Sequence, residues 1–366
     1  MMAMRKGIVS GRLASPILAL MLALSTGIIL ILWAGKDPFK AYGALLIGAF
    51  GNLQNISETL VAMTPLVLTG LSIALAFHCG LFNIGAEGQF ILGQLGAAWI
   101  GYALAGLPMI LHLPVTLLFG MAAGALWALI PGLLKAYRGV HEVINTIMMN
   151  YIALYLANYL VNGPMMAKGF LPVSPEISPA ARLPRLLAFM GANYRANAGI
   201  ILAISAAMAV YYILWHTTIG YEIRAVGRNP QAARYGGINV PSNLVKAMLL
   251  SGALSGMAGA IHIMGIQYKF VDIFTWTGYG FDGIAVALLG GNHPVGVVLS
   301  ALLFGALTSG AAQMQILAGV PKQIITIVQS IIILFVAAEK FLNYLVRSRG
   351  RNISSKSSPA KEAEVA

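Results

Sequence analysis

Charge is what this sequence lacks most. Lys, Arg, Asp and Glu make up 9% of its 366 residues, against about 25% in soluble domains. Between Lys40 and Lys135 the only charged side chains are Glu58 and Glu87. A stretch of that length cannot cover itself with water-facing groups, which excludes a soluble fold and leaves the bilayer as its solvent. Cysteine is almost missing: Cys79 stands alone in an apolar run. An internal disulfide is therefore excluded and no cysteine metal cluster is encoded; a small buried apolar residue is its plain role. No G-x-x-x-x-G-K-S/T phosphate loop occurs, which excludes a P-loop nucleotide-hydrolysing site in this sequence. The 11 acidic residues are mostly scattered singly. That excludes a catalytic carboxylate cluster, and also the set of buried acids a proton-coupled carrier more often shows. No cofactor site is expected.

What is present is apolar surface, 58% of the residues, with a net charge of +12. A basic balance invites a nucleic-acid partner, but placement excludes one. The cations flank apolar runs: Arg5, Lys6 and Arg12; Lys135 and Arg138; Arg224, Arg228, Arg234 and Lys246; Lys340, Arg347, Arg349 and Arg351. That is the pattern of cytoplasmic loops between membrane spans.

A spanning helix needs roughly 20 apolar residues. Candidates cover 15–34, 59–79, 88–110, 112–134, 143–162, 198–216, 246–266, 284–291, 296–314 and 320–338. The piece 284–291 needs flanking residues to complete a crossing. The first run follows cations without a small-x-small cleavage site, so it reads as an uncleaved helix rather than a removed signal. The expectation is an all-α integral membrane protein, a polytopic bundle of about ten transmembrane helices with broken or re-entrant segments. Both termini then lie on the cytoplasmic side of a bacterial inner membrane. Residues 1–345 form one membrane domain and 346–366 a disordered Ser/Lys/Glu-rich tail. The proline-rich stretch 163–197 is a long outer loop, and 41–57, polar from Asn52, reads as an interfacial helix.

Glycine is abundant, with 41 residues. Gly120-x-x-x-Gly124 and Gly252-x-x-x-Gly256 have the spacing that lets helix backbones approach closely in lipid. Two other stretches break the apolar pattern. In Gly80–Gln89, three glycines stand beside Asn83, Glu87 and Gln89. Backbone that leaves the helix at membrane depth must be buried in protein or line a cavity. A carboxylate there costs roughly 2.5–3.5 kcal/mol on insertion scales, so Glu87 needs a partner or a wet path; an interfacial loop is the plainer alternative. The second break, Gly280-Phe281-Asp282-Gly283 to Gly290-Gly291-Asn292-His293-Pro294, bounds a short apolar piece. Interrupted segments in both halves of a chain point to a site built from broken helices, and two unrelated turns are the other reading. Asn145 and Asn150 on 143–162 are further polar candidates, or amides that bond a neighbouring helix. Phe274, Trp276 and Tyr279 read as an aromatic interface belt, a simpler account of them than base stacking.

On the cytoplasmic side, Asn229-Pro230 should cap and start a short helix that Gly236 or Gly237 ends. It is either a solvated hairpin or a docking element.

At these residues the sequence resembles permease subunits of ABC importers, in the branch shared with sugar and branched-chain amino-acid systems. Gly80–Gln89, Gly139–Tyr151 (with Gly139-Val-His141-Glu142) and Gly220–Gly236 are most similar to the nucleoside-permease group, and the likeness covers roughly residues 10–345. The resemblance implies a transport function without enzyme activity: nucleoside translocation by alternating access, with a sugar permease or an ion-coupled secondary transporter as the alternatives. It implies an ABC ATPase, a second permease and an extracytoplasmic substrate-binding lipoprotein as partners, besides membrane lipid. Asn83, Glu87, Gln89, Asn145, Asn150 and Asp282 would shape the translocation path. The loop 220–237 would couple to the ATPase through Gly220, Glu222, Arg224, Ala225, Gly227, Asn229, Ala232, Ala233 and Gly236.

Overall fold

The computed structural model describes residues 20–335 apart from Phe170 and Ala192. The beginning of the first expected span, the end of the last one and the 346–366 tail lie outside the described residues. Thirteen α-helices follow one another among the described residues: α1 Leu20–Trp33, α2 Pro38–Phe50, α3 Leu53–His78, α4 Ala86–Ala103, α5 Met109–Arg138, α6 Glu142–Asn162 and α7 Gly199–His216; then α8 Thr218–Arg228, α9 Pro230–Tyr235, α10 Val240–His262, α11 Tyr279–Leu289, α12 Pro294–Ala318 and α13 Gln323–Phe335. Among the described residues there is no strand, only the isolated bridges Val173–Val271 and Arg185–Asn197. The described residues form a mainly helical fold.

Among the described residues five helices are long and apolar enough to cross a membrane: α3, α5, α7, α12 and α10 with its π-helical continuation to Gln267. The count rises to six if α1 and α2, bent by 120° at their junction, are one span. Two expected spans took other forms. The run 88–110 became α4, which stops at Ala103 because Pro108 starts the next helix. The run 284–291 became the 11-residue α11, whereas 143–162 is one helix, the 21-residue α6. The expected helix over 41–57 is also split. Asn52 accepts a hydrogen bond from Asn55 N at 2.7 Å, so its polar end is the N-cap of α3 rather than the tail of α2.

The glycine pairs lock the centre of the bundle. On α10, a Cβ at Gly256 would collide with the Gly120 carbonyl and sit 3.0 Å from Gly124 Cα on α5. A Cβ at Gly124 would in turn lie 2.6 Å from Gly256 Cα, and one at Gly93 of α4 would lie 2.5 Å from it. The two small-residue motifs therefore face each other, with α4 closing the trio. No hydrophobic drive separates helix from lipid, so this contact rests on close backbone packing. Gly256→Leu is expected to cost more than the about 1–3 kcal/mol typical of overpacking, because backbone rather than side chain must move. Size-exclusion chromatography of the solubilised protein should show the monodisperse peak lost. A normal peak with unchanged thermal stability would contradict the interlock.

At the end that carries α8 and α9, α3 finishes at His78 and α11 finishes at the tight turn 290–293. Gly291 and Asn292 have φ of 62° and 57° there. At the opposite end lie the long 163–198 connection, the start of α3 and the end of α10.

Candidate functional site

The chain leaves α3 at Cys79, turns at Gly80 with φ of 76°, and climbs back into the bundle before α4 begins. A buried non-helical segment needs a partner for each backbone group, and side-chain amides supply several of them. Asn83 Oδ1 accepts from Gly85 N at 3.0 Å and from Gln89 Nε2 at 3.1 Å. Its Nδ2 donates to Gln89 Oε1 at 3.0 Å and to Ser251 Oγ on α10 at 2.8 Å. Ser251 passes the connection on to the Ser72 carbonyl of α3, and Ser255 donates to Ser72 Oγ. From α6, Asn150 Oδ1 accepts from Gly88 N at 2.8 Å while its Nδ2 donates to the Ile84 carbonyl at 2.9 Å. The first turn of α4 is thereby capped from a different helix.

Glu87, wholly buried, reaches the other way. Its Oε1 accepts from the Thr277 hydroxyl at 2.5 Å and Gly278 N at 2.9 Å, and its Oε2 from Gly280 N at 2.6 Å. Those donors are the N-terminus of α11. Unpaired N–H groups and the positive end of the helix dipole hold a carboxylate there. Gly280 has no room for a side chain, since a Cβ would strike the Glu87 backbone. The two breaks are thus one assembly, in which the start of α4 sits on the start of α11.

Four expected path residues, Asn83, Glu87, Gln89 and Asn150, meet in this assembly and are buried. Asp282 is half-buried in the first turn of the helix that Glu87 caps. Asn145 does not join them; it lies further back on α6, with its Nδ2 buried and no partner among the described residues. The sequence reading missed Ser72, Thr277, Ser251 and Ser255. The last two stand one turn apart in an apolar helix, a spacing that marks a shared polar face. It also missed a second polar pair, Gln94 and His262 at 2.8 Å. Tyr279 is a correction: it is no membrane-belt residue, for its ring packs on Phe90 and His262 at 5.5 and 5.3 Å. Trp276 likewise packs on Tyr151 and Phe281. Phe274 alone of the three is 88% exposed.

At the α8–α9 end the local reading held. Asn229 Oδ1 accepts from Ala232 N at 3.0 Å and starts α9 at Pro230; Gly236 ends it, donating to the Ala232 carbonyl. Residues 218–228 form a separate helix, α8, because Thr217 Oγ1 caps Gly220 N at 3.2 Å. Gly220, Ile223, Val226 and Ala233 face inward, whereas Ala225 is half-buried and Arg228, Asn229, Ala232 and Gly236 are exposed. Glu222 accepts from Asn243 Nδ2 at 2.9 Å and pairs with Lys246 at 3.8 Å, which fixes α8 to α10. Arg224 lies 5.9 Å from the Trp215 ring centre. Gly227 presses on the His78 carbonyl, where any side chain would collide. His78 Nε2 stands 3.0 Å from the Asn292 carbonyl at the end of α11. A contiguous set of contacts therefore runs from α8 through His78 and α11 to Glu87.

A helical bundle with membrane-length apolar helices, a non-helical break docked on a half-length helix, and a capped helix pair at one end fit a membrane permease. The chain belongs to the family described as branched-chain amino acid transport system / permease component, which it matches over residues 55–337. It is a transport component and not an enzyme. It is 44% identical over 341 residues to the guanosine ABC transporter permease protein NupP of Bacillus subtilis, covering 92% of this chain and 97% of that one. It is 37% identical to the nucleoside ABC transporter permease protein NupB of Lactococcus lactis, over 96% of this chain and 97% of that one. The glucose ABC transporter permease protein TsgB13 of Haloferax volcanii is 35% identical, over 89% and 87%.

Proposed function

We propose that this chain is the membrane-spanning permease of an ATP-driven importer that carries nucleosides across a bacterial inner membrane by alternating access. The observation that carries the mechanism is the Glu87 contact with the N-terminus of α11, which joins the two broken segments inside the bundle. The cargo follows from two relatives, named for guanosine and for nucleosides, that align over nearly the whole chain.

In this reading about ten segments, including α4, α6 and α11, cross or enter the bilayer, with both termini cytoplasmic. The exposed faces of α8 and α9 dock on an ABC ATPase through Arg228, Asn229, Ala232 and Gly236. A substrate-binding lipoprotein docks outside on 163–197 and 267–283, and a second permease completes the pore. Closure of the ATPase moves α8, which bears on His78. The motion passes to Asn292 and α11, and so to the helix start that Glu87 holds. Asn83, Gln89 and Asn150 keep the re-entrant backbone satisfied while α11 shifts, and Asp282 and Asn145 line the path as it opens.

Cells carrying or lacking the chain, given radiolabelled guanosine, uridine or ribose, test the reading. Guanosine or uridine uptake should need the chain, fall on ATP depletion and survive a protonophore. Ribose-only uptake would move the cargo to sugars. Uptake indifferent to ATP and abolished by the protonophore would replace the importer with an ion-coupled carrier.

A further inference from the structure

A cavity of about 360 Å³ opens between the end of α2, the start of α3, the middle of α12 and the segment carrying Arg195. That volume lies within the roughly 300–1,000 Å³ of small-molecule sites. Its lining includes Tyr279, the first residue of α11, directly beside the helix start that Glu87 holds. We infer that this cavity is the outer half of the cargo's route and binds a nucleoside before α11 moves. The inference rests on the function proposed above and adds the site to it.

The lining decides the chemistry. Glu58 and Arg195 pair at 3.5 Å with their side chains 33% and 49% exposed, so both still face the cavity. A paired acid and base leave no net charge to select an ion, and each keeps free hydrogen-bonding positions. Asn55 and Gln313 add amides, Ser309 a hydroxyl, and Tyr279 a ring. A neutral polyol bearing a flat heterocycle suits such a set. Ribose hydroxyls donate to the Glu58 carboxylate, Arg195 donates to carbonyl or ring-nitrogen acceptors of the base, and the base lies against the Tyr279 ring. A bare sugar offers Tyr279 no ring. Tyr279 is held from behind by Phe90 and His262. A bound base would therefore press on α11 rather than on a loose side chain, which links occupancy to the element the transport cycle must move.

The chain's single cysteine, Cys79, is buried, so a cysteine introduced in the cavity can be followed without background. The test uses Ser309→Cys in the complete importer, in right-side-out vesicles, with a membrane-impermeant thiosulfonate added outside. Saturating guanosine with the binding protein should slow labelling at least fivefold, and ribose should not. In parallel, Glu58→Gln should raise the KM for guanosine uptake about tenfold without altering the binding protein's own affinity. Labelling that guanosine leaves unchanged, together with a normal Glu58→Gln KM, overturns the cavity as the site while guanosine uptake by the unsubstituted chain preserves the proposed function. Protection by ribose in place of guanosine overturns the nucleoside assignment. Failure of the unsubstituted chain to take up any nucleoside overturns the function itself.

Discussion

Glu87→Ala is expected to cut nucleoside uptake at least tenfold while leaving the protein in the membrane. The carboxylate is wholly buried and accepts from Thr277, Gly278 and Gly280. Removing it strands three donors, each at about 1–3 kcal/mol when buried, and withdraws the negative charge that the α11 N-terminus faces. The start of α11 then keeps only the Tyr279–Phe90 ring contact and the Gly280 backbone packing to hold it against α4. The Asn83, Gln89, Ser251 and Asn150 contacts stay intact, so the bundle itself should assemble. Glu87→Gln should fall between the two: one oxygen remains an acceptor, but its NH₂ group confronts a donor. Uptake measured in vesicles against the amount of permease present checks this. Unchanged uptake in Glu87→Ala would remove the carboxylate from the transport cycle.

Gly227→Val is the second large effect expected, and it acts at the far end of the same line of contacts. A Cβ at this position would overlap the His78 carbonyl and lie 2.8 Å from the Cys79 carbonyl carbon. Backbone cannot yield as a flexible side chain can, so α8 must lift away from the end of α3. Glu222 still ties α8 to Asn243 and Lys246, and the outward faces of α8 and α9 are untouched. The ATPase should therefore still co-purify, but its stimulation by loaded binding protein should be lost and uptake should fall at least tenfold. Gly43→Ala is the control, because nothing stands within 4 Å of its added Cβ. Normal stimulated ATPase activity in Gly227→Val would show that this contact transmits nothing.

Features set by neighbours in sequence were legible, and those set by distant partners were not. Asn229-Pro230 and Gly236 mark α9 because capping is decided within one turn. The pairs Gly120/Gly124 and Gly252/Gly256 could be read as close-packing surfaces, but not that they pack on each other, since a glycine carries no signature of its mate. The need of Glu87 for a partner followed from the cost of a lone carboxylate in lipid. The partner itself was invisible: two of its three donors are backbone N–H groups, which no residue type announces, and they lie some 190 residues away in sequence. Boundaries failed for a simpler reason. Leu104–Ile110 is apolar, so hydropathy carried α4 across a turn that Pro108 imposes. The polar stretch after Asn52 looked like the end of a helix although its amide begins one. Tyr279 was misplaced because aromatic residues near a span end look alike whether they face headgroups or a packed interior.

The most direct test of the account is ATP-driven transport by the purified assembly. Proteoliposomes holding this chain, a second permease and the ATPase, with loaded binding protein outside and ATP inside, should accumulate radiolabelled guanosine against its gradient. ADP or a hydrolysis-deficient ATPase should abolish the accumulation, and an excess of unlabelled ribose should leave it unaffected. Guanosine that merely equilibrates regardless of ATP, or ATP-driven accumulation of ribose with guanosine excluded, would contradict a nucleoside importer worked from α8 through α11.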